Sequence, residues 1–238
     1  MLRRDAEALA TPGKRERRKF ATRGDLIRAG RRLFSEKGLY ESRIEDLTTE
    51  AGIAKGTLYT YFADKDELIR AVASAGFEEL EARVASRVGS ARSLEDVLRQ
   101  ALRAHTQFFV ANPDLMRVLH QVRGMLKFDR PEWGPLRDTM NRYLKALAGI
   151  LSKAPHIARL LEKDRLELAR LVFGAVSGVT SVEATSTSRG LGRSGGEALV
   201  NSMVAMAVRY VKTCGRSQSR GDGKQTRRSR PIRRTRRP

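Results

Sequence analysis

Hydrophobic side chains recur at helical spacing through most of this chain. Apolar residues three and four positions apart mark the buried face of an α-helix. Such stripes occupy residues 23–37, 44–51, 68–84, 94–109, 115–122, 136–151, 166–186 and 197–211. The sequence offers no convincing run of strands between them. The pattern therefore predicts an all-α protein with a small N-terminal unit followed by a larger helical bundle.

Glycines and pairs of polar residues mark the ends and starts of the first predicted helices. Gly38 and Gly52 each follow a periodic segment and are plausible helix stops. Ser42 and Glu45 have capping-box spacing, in which the hydroxyl accepts from an N–H three residues on and the carboxylate reaches back. Asp64 and Glu67 repeat that spacing. Four helices are therefore predicted before residue 85.

The third of these four predicted helices, from about Ala54 to Phe62, has the composition of a strand. Its residues 57–62 are almost all β-branched or aromatic. As a helix, however, it places Leu58, Tyr61 and Phe62 on one side. The opposite side then carries Lys55, Gly56, Tyr59 and Thr60.

A cation, a bare backbone, a phenol and a hydroxyl on one short helix suit the major groove of DNA. Lys55 can contact a phosphate or a guanine edge, and Gly56 lets the backbone approach. Tyr59 and Thr60 can donate to phosphates or touch thymine methyl groups. A short helix, a glycine turn and this second helix form a helix-turn-helix arrangement. On spacing alone, a helical hairpin with a purely structural role remains an alternative.

The segment Asp25–Val72 also resembles a known family. It contains LFSEKG, then AGIAKGTLYTYF, then DKDEL. In this combination it resembles the DNA-binding domain of TetR-family transcriptional repressors. The resemblance implies DNA contacts from Ser42, Arg43, Lys55, Gly56, Thr57, Tyr59, Thr60, Tyr61 and Lys65. Ala54 departs from the family pattern, which usually has a serine or similar N-cap there, and the missing cap costs roughly 1 kcal/mol of helix stability.

Composition at the two ends and the resemblance between them together imply an organisation for the whole chain. The expected divisions are a basic flexible arm over 1–21, the DNA-binding domain over 22–67, a helical effector-binding and dimerisation domain over 68–213, and a disordered Arg-rich tail over 214–238. The last two long helices, 166–186 and 197–211, would pair with those of a second subunit. Gly174, Ala175 and Gly178 would permit their close approach. The alternative is that these helices are simply core.

The middle helices are expected to bind a small apolar or aromatic effector. The candidate lining residues are His105, Phe108, Phe109, Met116, Leu119, His120, Met125, Trp133, Met140 and Tyr143. Phenylalanine and methionine stripes at this spacing are also typical of plain core. Two histidines this far apart do not suggest a metal site, and we expect no cofactor.

Charge and cysteine content narrow the class of protein. Lys+Arg 47 against Asp+Glu 27 gives a formal net charge of +20, which suggests a polyanionic partner or reflects compositional drift towards arginine. The N-terminal basic cluster is expected to touch the DNA backbone or minor groove. The Arg-rich tail is either a solvated segment or an auxiliary DNA clamp. The single cysteine excludes an intramolecular disulfide and fits a reducing cytosol.

No signal peptide or membrane-spanning segment is evident in the sequence, so we expect a cytoplasmic protein without a membrane partner. Catalytic motifs are also lacking: we find no phosphate-binding glycine loop, no paired metal-ligand motif and no nucleophile beside a base. The expected function is therefore a ligand-responsive homodimeric repressor that binds a palindromic operator. Two alternatives stay open: a non-specific or architectural nucleic-acid-binding protein acting through its basic arm and tail, and an activator with the same DNA domain.

Overall fold

The computed structural model describes residues 14–126, 131–186 and 193–225. Within those ranges the protein is helical and contains no strand, which confirms the all-α prediction. The helices are α1 (Lys14–Lys37), α2 (Ile44–Ala51), α3 (Lys55–Tyr61), α4 (Lys65–Val88), α5 (Leu94–Ala111), α6 (Pro113–Met125), α7 (Gly134–Leu151), α8 (Pro155–Ala158), α9 (Glu162–Ser186) and α10 (Arg193–Gln225). A 3₁₀ turn, Pro131–Trp133, precedes α7.

The chain divides into two compact units, Met1–Ala73 and Ser74–Pro238. The dividing point falls within α4, six residues after the boundary expected from the resemblance. The first unit contains α1 to α3 and the first part of α4. Its core is a set of side chains that are almost completely buried: Leu26, Ala29, Leu33, Phe34, Leu39, Leu47, Leu58, Phe62, Leu68, Ile69, Val72 and Ala73.

Helix α1 begins at Lys14, inside the segment that was expected to be a flexible arm up to residue 21. Residues 14–22 contain lysine, arginine, glutamate and alanine, all of which have high helix propensity. Because they directly precede a helix whose apolar face is packed, extending that helix costs little. Residues 1–13 lie outside the described ranges.

Both predicted glycine stops are present. Gly38 has φ 91° and Gly52 has φ 64°, values that L-residues with a side chain rarely adopt. The Gly38 N–H donates to the Phe34 carbonyl at 3.1 Å, and the Ile53 N–H after Gly52 donates to the Thr48 carbonyl at 3.0 Å. These bonds satisfy carbonyl groups at the ends of α1 and α2.

The first predicted capping box is wrong in its residues. The N-cap of α2 is Arg43, and its backbone N–H donates to the Asp46 carboxylate at 3.1 Å. The Ser42 hydroxyl instead donates to the Gly38 carbonyl at 2.6 Å. Ser42 is buried, and it precedes the N-cap residue by one position, so it does not cap the helix.

The second box, at the start of α4, does form. The Glu67 N–H donates to Asp64 Oδ1 at 2.6 Å, and the Glu67 carboxylate accepts from the Ala63 N–H at 2.6 Å. The carboxylate thus reaches one residue further back than the usual motif.

The second unit packs α5 against α9 and α10, and α7 against α9. Its centre is an aromatic cluster of Phe77, His105, Phe109, Tyr143 and Phe173. Phe77 stacks on Tyr143 with ring centroids 5.2 Å apart, and Tyr143 meets Phe173 edge-on at 5.5 Å.

The last helix extends further than the sequence pattern predicted. Disorder was expected from residue 214, yet α10 continues to Gln225. Residues 212–225 contain no proline, and the preceding residues of α10 are packed on α5. Once a packed face has nucleated a helix, each further residue adds a hydrogen bond at low cost. Residues 226–238 lie outside the described ranges.

None of the helices in the described ranges has the length and apolarity needed to cross a membrane.

Candidate nucleic-acid interface and effector region

Helix α3 is held in place by two buried side chains. Leu58 is 0 % exposed and Phe62 is 1 % exposed, as the helical interpretation of the segment predicted. The Arg23 guanidinium carbon lies 5.1 Å from the centroid of the Phe62 ring, which adds a cation–π contact from α1. The strand-like residues therefore form a helix because tertiary burial outweighs their weak helix propensity.

The opposite side of α3 faces outwards. Lys55, Gly56, Tyr59 and Thr60 are all exposed, Tyr59 to 47 %. A Cβ added to Gly56 would meet no atom of the described residues within 4 Å. Packing among the described residues of the unit thus does not require glycine at this position.

The start of α3 lacks a side-chain cap. Ala54 occupies the N-cap position, and its methyl group cannot accept a hydrogen bond. The Ala54 carbonyl accepts from the Thr57 N–H at 2.9 Å. The helix therefore depends on Leu58 and Phe62 for its position.

Lys55 is paired with an acidic residue of α2. Its ammonium donates to Glu45 Oε1 at 2.5 Å, which raises the pKa of Lys55 and lowers the pKa of Glu45. Both side chains are largely exposed, so water screens this attraction. A phosphate group approaching α3 would compete with Glu45 for the same ammonium.

Ser42 and Lys65, which were also expected to contact DNA, have partners within the unit as well. The buried Ser42 hydroxyl donates to Gly38, as described above. The Lys65 ammonium donates to the Ser42 carbonyl at 2.8 Å and to the Tyr40 carbonyl at 3.4 Å. These bonds tie the start of α4 to the loop before α2.

The other expected DNA contacts differ in exposure. Arg43 is exposed at the start of α2, whereas Thr57 and Tyr61 are half-buried. Tyr40 was not among the predicted contacts, although it is 74 % exposed in the loop before α2. The position of this aromatic residue within a short loop was the feature of the sequence that could have indicated its exposure.

Most of the expected effector-lining residues form the packed core of the second unit. The buried ones are His105, Phe108, Phe109, Met116, Leu119, Met125, Trp133 and Tyr143. Met140 is half-buried. His120 is exposed, and its Nδ1 lies 3.0 Å from the Ser181 hydroxyl.

A buried polar pair lies within this core. His105 Nε2 is 2.5 Å from the Tyr143 hydroxyl, and His105 Nδ1 is 2.7 Å from the Ala101 carbonyl. With Nδ1 protonated, His105 donates to Ala101 and accepts from Tyr143. Burial lowers the pKa of His105 to about 4, and burial also raises the pKa of Tyr143 well above its usual value. The pair is therefore neutral near pH 7.

An open cleft of about 940 Å³ lies elsewhere in the second unit. It is bounded by the start of α5, by α8 and by the carboxyl-terminal half of α10. Its lining residues belong to segments that the sequence pattern did not connect with a ligand.

Comparison with known proteins places residues 26–72 in a family described as bacterial regulatory proteins, tetR family. The fatty acid metabolism regulator protein of Bacillus subtilis (strain 168) is 21% identical over 152 residues, which is 63% of this chain and 77% of that protein. The repressor KstR2 of Mycobacterium tuberculosis (strain ATCC 25618 / H37Rv) is 38% identical over 47 residues. That match covers 20% of this chain and 24% of KstR2, so the stronger identity is confined to a short segment.

Solved structures share the fold across both units. The transcriptional regulator FadR from Bacillus subtilis, in complex with stearoyl-CoA, has a TM-score of 0.64 at 18% identity and covers 78% of this chain and 97% of that chain. A transcriptional regulator from Rhodococcus sp. Rha1 has a TM-score of 0.63 at 17% identity, covering 79% and 96%. At this level of identity the likeness establishes architecture alone.

Proposed function

We propose that this chain, whose residues 26–72 match the tetR family of bacterial regulatory proteins, is a ligand-responsive repressor that binds a palindromic DNA operator as a homodimer. The observation that carries the proposal is that α3 has one buried side and one exposed side. Leu58 and Phe62 hold the helix to its unit, while Lys55, Gly56, Tyr59 and Thr60 face outwards. An exposed helical face with these groups matches the chemistry of the major groove.

The DNA-binding part is tested with duplexes selected from a random pool. Full-length protein should enrich one palindromic sequence. The double substitution Lys55→Ala with Tyr59→Ala should abolish the preference for it, because both side chains are exposed and reach base edges or phosphates. Circular dichroism should stay unchanged. Undiminished operator affinity in that variant would refute the assignment of α3.

Two controls separate recognition from charge and from folding. Arg28→Ala removes an exposed cation of α1 and should change only the salt-dependent, sequence-independent part of binding. Leu58→Ala should also lose operator binding, but through unfolding, since truncating a buried leucine costs about 2–5 kcal/mol. If no duplex is enriched and affinity depends only on salt, the protein is a non-specific nucleic-acid binder and the repressor proposal fails.

The homodimer uses the outer face of α9 and α10. Leu171 and Val182 of α9 and Met206 of α10 are exposed apolar residues. A Cβ added to Gly174 or Gly178, between them on α9, would meet no atom of the described residues within 4 Å. Such a face allows close helix packing against a second copy, and a dimer is what an operator with two half-sites about 34–36 Å apart requires.

Met206→Glu tests this interface, because it puts a charge on an apolar face where Met206 is 54 % exposed. Sedimentation equilibrium should show a dimer for the parent protein and a monomer for the variant. Val110→Glu is the matched control, since Val110 is 53 % exposed on α5. If both variants dimerise equally, the interface lies elsewhere on the protein.

The effector binds among α5, α6 and α7, where the His105–Tyr143 pair supplies polar groups within an apolar surround. Because these side chains are packed, an apolar or aromatic effector would have to displace some of them and thereby shift the population between conformers. A ligand screen by thermal shift, followed by operator release, tests this step. A ligand that stabilises the parent but not Tyr143→Phe supports the location, while equal stabilisation of both contradicts a role for the hydroxyl.

A further inference from the structure

The open cleft at the end of the second unit has an apolar floor. Leu160, Val208 and Val211 are buried at its base, and Leu94 is half-buried at its side. These residues come from α5, from α10 and from the short connection after α8. At about 940 Å³ the cleft lies within the size range of small-molecule sites.

The rim of the cleft is mainly cationic. Arg159, Lys212 and Arg216 line it and are all exposed, whereas Glu95 is the one acidic residue among the described residues that line it. A neighbouring cleft between α5 and α10 also has Lys212 and Arg216 among its lining residues. Lys212 and Arg216 therefore both lie on the last part of α10 that borders the cleft, beside its apolar base. This combination favours a ligand with one apolar part and one negative group.

The extension of α10 builds part of this site. Gly215 and Arg216 line the cleft, and both fall in the segment for which the sequence pattern predicted disorder. The chain beyond Gln225 is an unsuitable occupant, because residues 226–238 contain arginine but no acidic residue. Like charges would repel it from the rim. The occupant must instead bring the negative charge.

We propose that the cleft between α5, α8 and α10 binds an amphipathic anion, with an apolar body on Leu94, Leu160, Val208 and Val211 and a carboxylate or phosphate-like head group between Lys212 and Arg216. The site shares no residue with the proposed DNA-contacting face of α3 or with the His105–Tyr143 pair. It does not depend on the repressor function proposed above.

Three probes with the same ten-carbon chain isolate the head group: decanoate, decanol and decyltrimethylammonium. Isothermal titration calorimetry on the full-length protein should show the highest affinity for decanoate, a lower affinity for decanol and the lowest for decyltrimethylammonium. The double substitution Lys212→Gln with Arg216→Gln should weaken decanoate by about tenfold or more and leave decanol unchanged, because only charge-assisted hydrogen bonds are lost.

Arg83→Gln with Lys145→Gln is the matched control. It removes one arginine and one lysine that are exposed in the same unit but lie away from the cleft, and it should leave all three affinities unchanged. Leu94→Ser should weaken decanoate and decanol together, because it alters the apolar side of the cleft. That joint loss distinguishes a bound chain from an ion held by charge alone.

Several results would overturn the proposal. Equal affinity for decanoate and decanol would exclude a head-group site, and equal losses in the two double variants would show a general charge effect. Loss of non-specific DNA affinity in the cleft variant, with no probe binding to the parent, would make these cations a nucleic-acid surface. Operator binding measured on the same samples reports on α3 separately, so failure here does not bear on the repressor proposal.

Discussion

Acidification should destabilise the second unit through one buried histidine. His105 is completely buried, and its pKa falls from 6.5 to about 4 because the core does not solvate an imidazolium. The unfolded chain takes up a proton at this residue below pH 6.5, and the folded chain does so only near pH 4. Stability from neutral His105 is therefore present at pH 7 and is lost as the pH falls.

The magnitude follows from the two pKa values of His105. A difference of one unit corresponds to about 1.4 kcal/mol, so the complete loss below pH 4 is about 3 kcal/mol. About 2 kcal/mol of this should be lost between pH 7 and pH 5. That loss is a large part of the free energy of unfolding of a typical domain, which is roughly 5–15 kcal/mol.

Urea unfolding at pH 7 and at pH 5 measures this loss. Trp133 is the single tryptophan of the chain and is buried in the second unit, so its fluorescence reports on that unit. His105→Gln is the matched variant, because an amide can still accept from the Tyr143 hydroxyl but does not titrate. It should be less stable at pH 7 and almost insensitive to pH between 7 and 5.

Carboxylates do not account for the same change. The pKa values of Glu45, Asp46 and Glu197 are lowered by hydrogen bonds from Lys55, Arg43 and Arg103 respectively, so these groups stay ionised at pH 5. The pKa of Tyr143 is raised, and it stays neutral. Identical pH dependence in the parent and in His105→Gln would refute the reasoning.

Three further substitutions test packing and recognition. Gly76→Ala should destabilise the second unit by about 1–3 kcal/mol, since its Cβ would lie 2.5 Å from a methyl carbon of the buried Leu115. Gly149→Ala, which meets open space among the described residues, should instead stabilise it by up to about 1 kcal/mol in urea unfolding; equal effects would disprove the clash. Glu45→Gln should strengthen binding to any duplex about threefold or more at low salt, because Lys55 is released to phosphate. Fluorescence anisotropy at two salt concentrations checks this, and unchanged affinity would mean that Lys55 contacts no phosphate.

Features that depend on neighbouring residues were predictable from the sequence. Helical periodicity located the helices, because each apolar stripe follows from 3.6 residues per turn. Gly38 and Gly52 ended helices as expected, since both adopt positive φ. The two sides of α3 also followed from periodicity, even though its residues favour strands by propensity.

Features that depend on how the helices and loops pack were not predictable. Ser42 was expected to cap α2 and to contact DNA, yet its hydroxyl is bonded to Gly38. Lys65 is 23 residues from Ser42 in the chain and donates to its carbonyl. Glu45 and Lys55 are ten residues apart on different helices. None of these pairs leaves a periodic signal in the sequence.

The sequence by itself determined the helical class, the helix-turn-helix segment and the outward face of α3, because local spacing and propensity decide which side of a helix is apolar. Only the tertiary structure decided the partners of Ser42, Glu45 and Lys65, the continuation of α10 and the cleft beside it. Packing brings together groups far apart in the chain, and the free energy of their contacts outweighs what each short segment prefers alone.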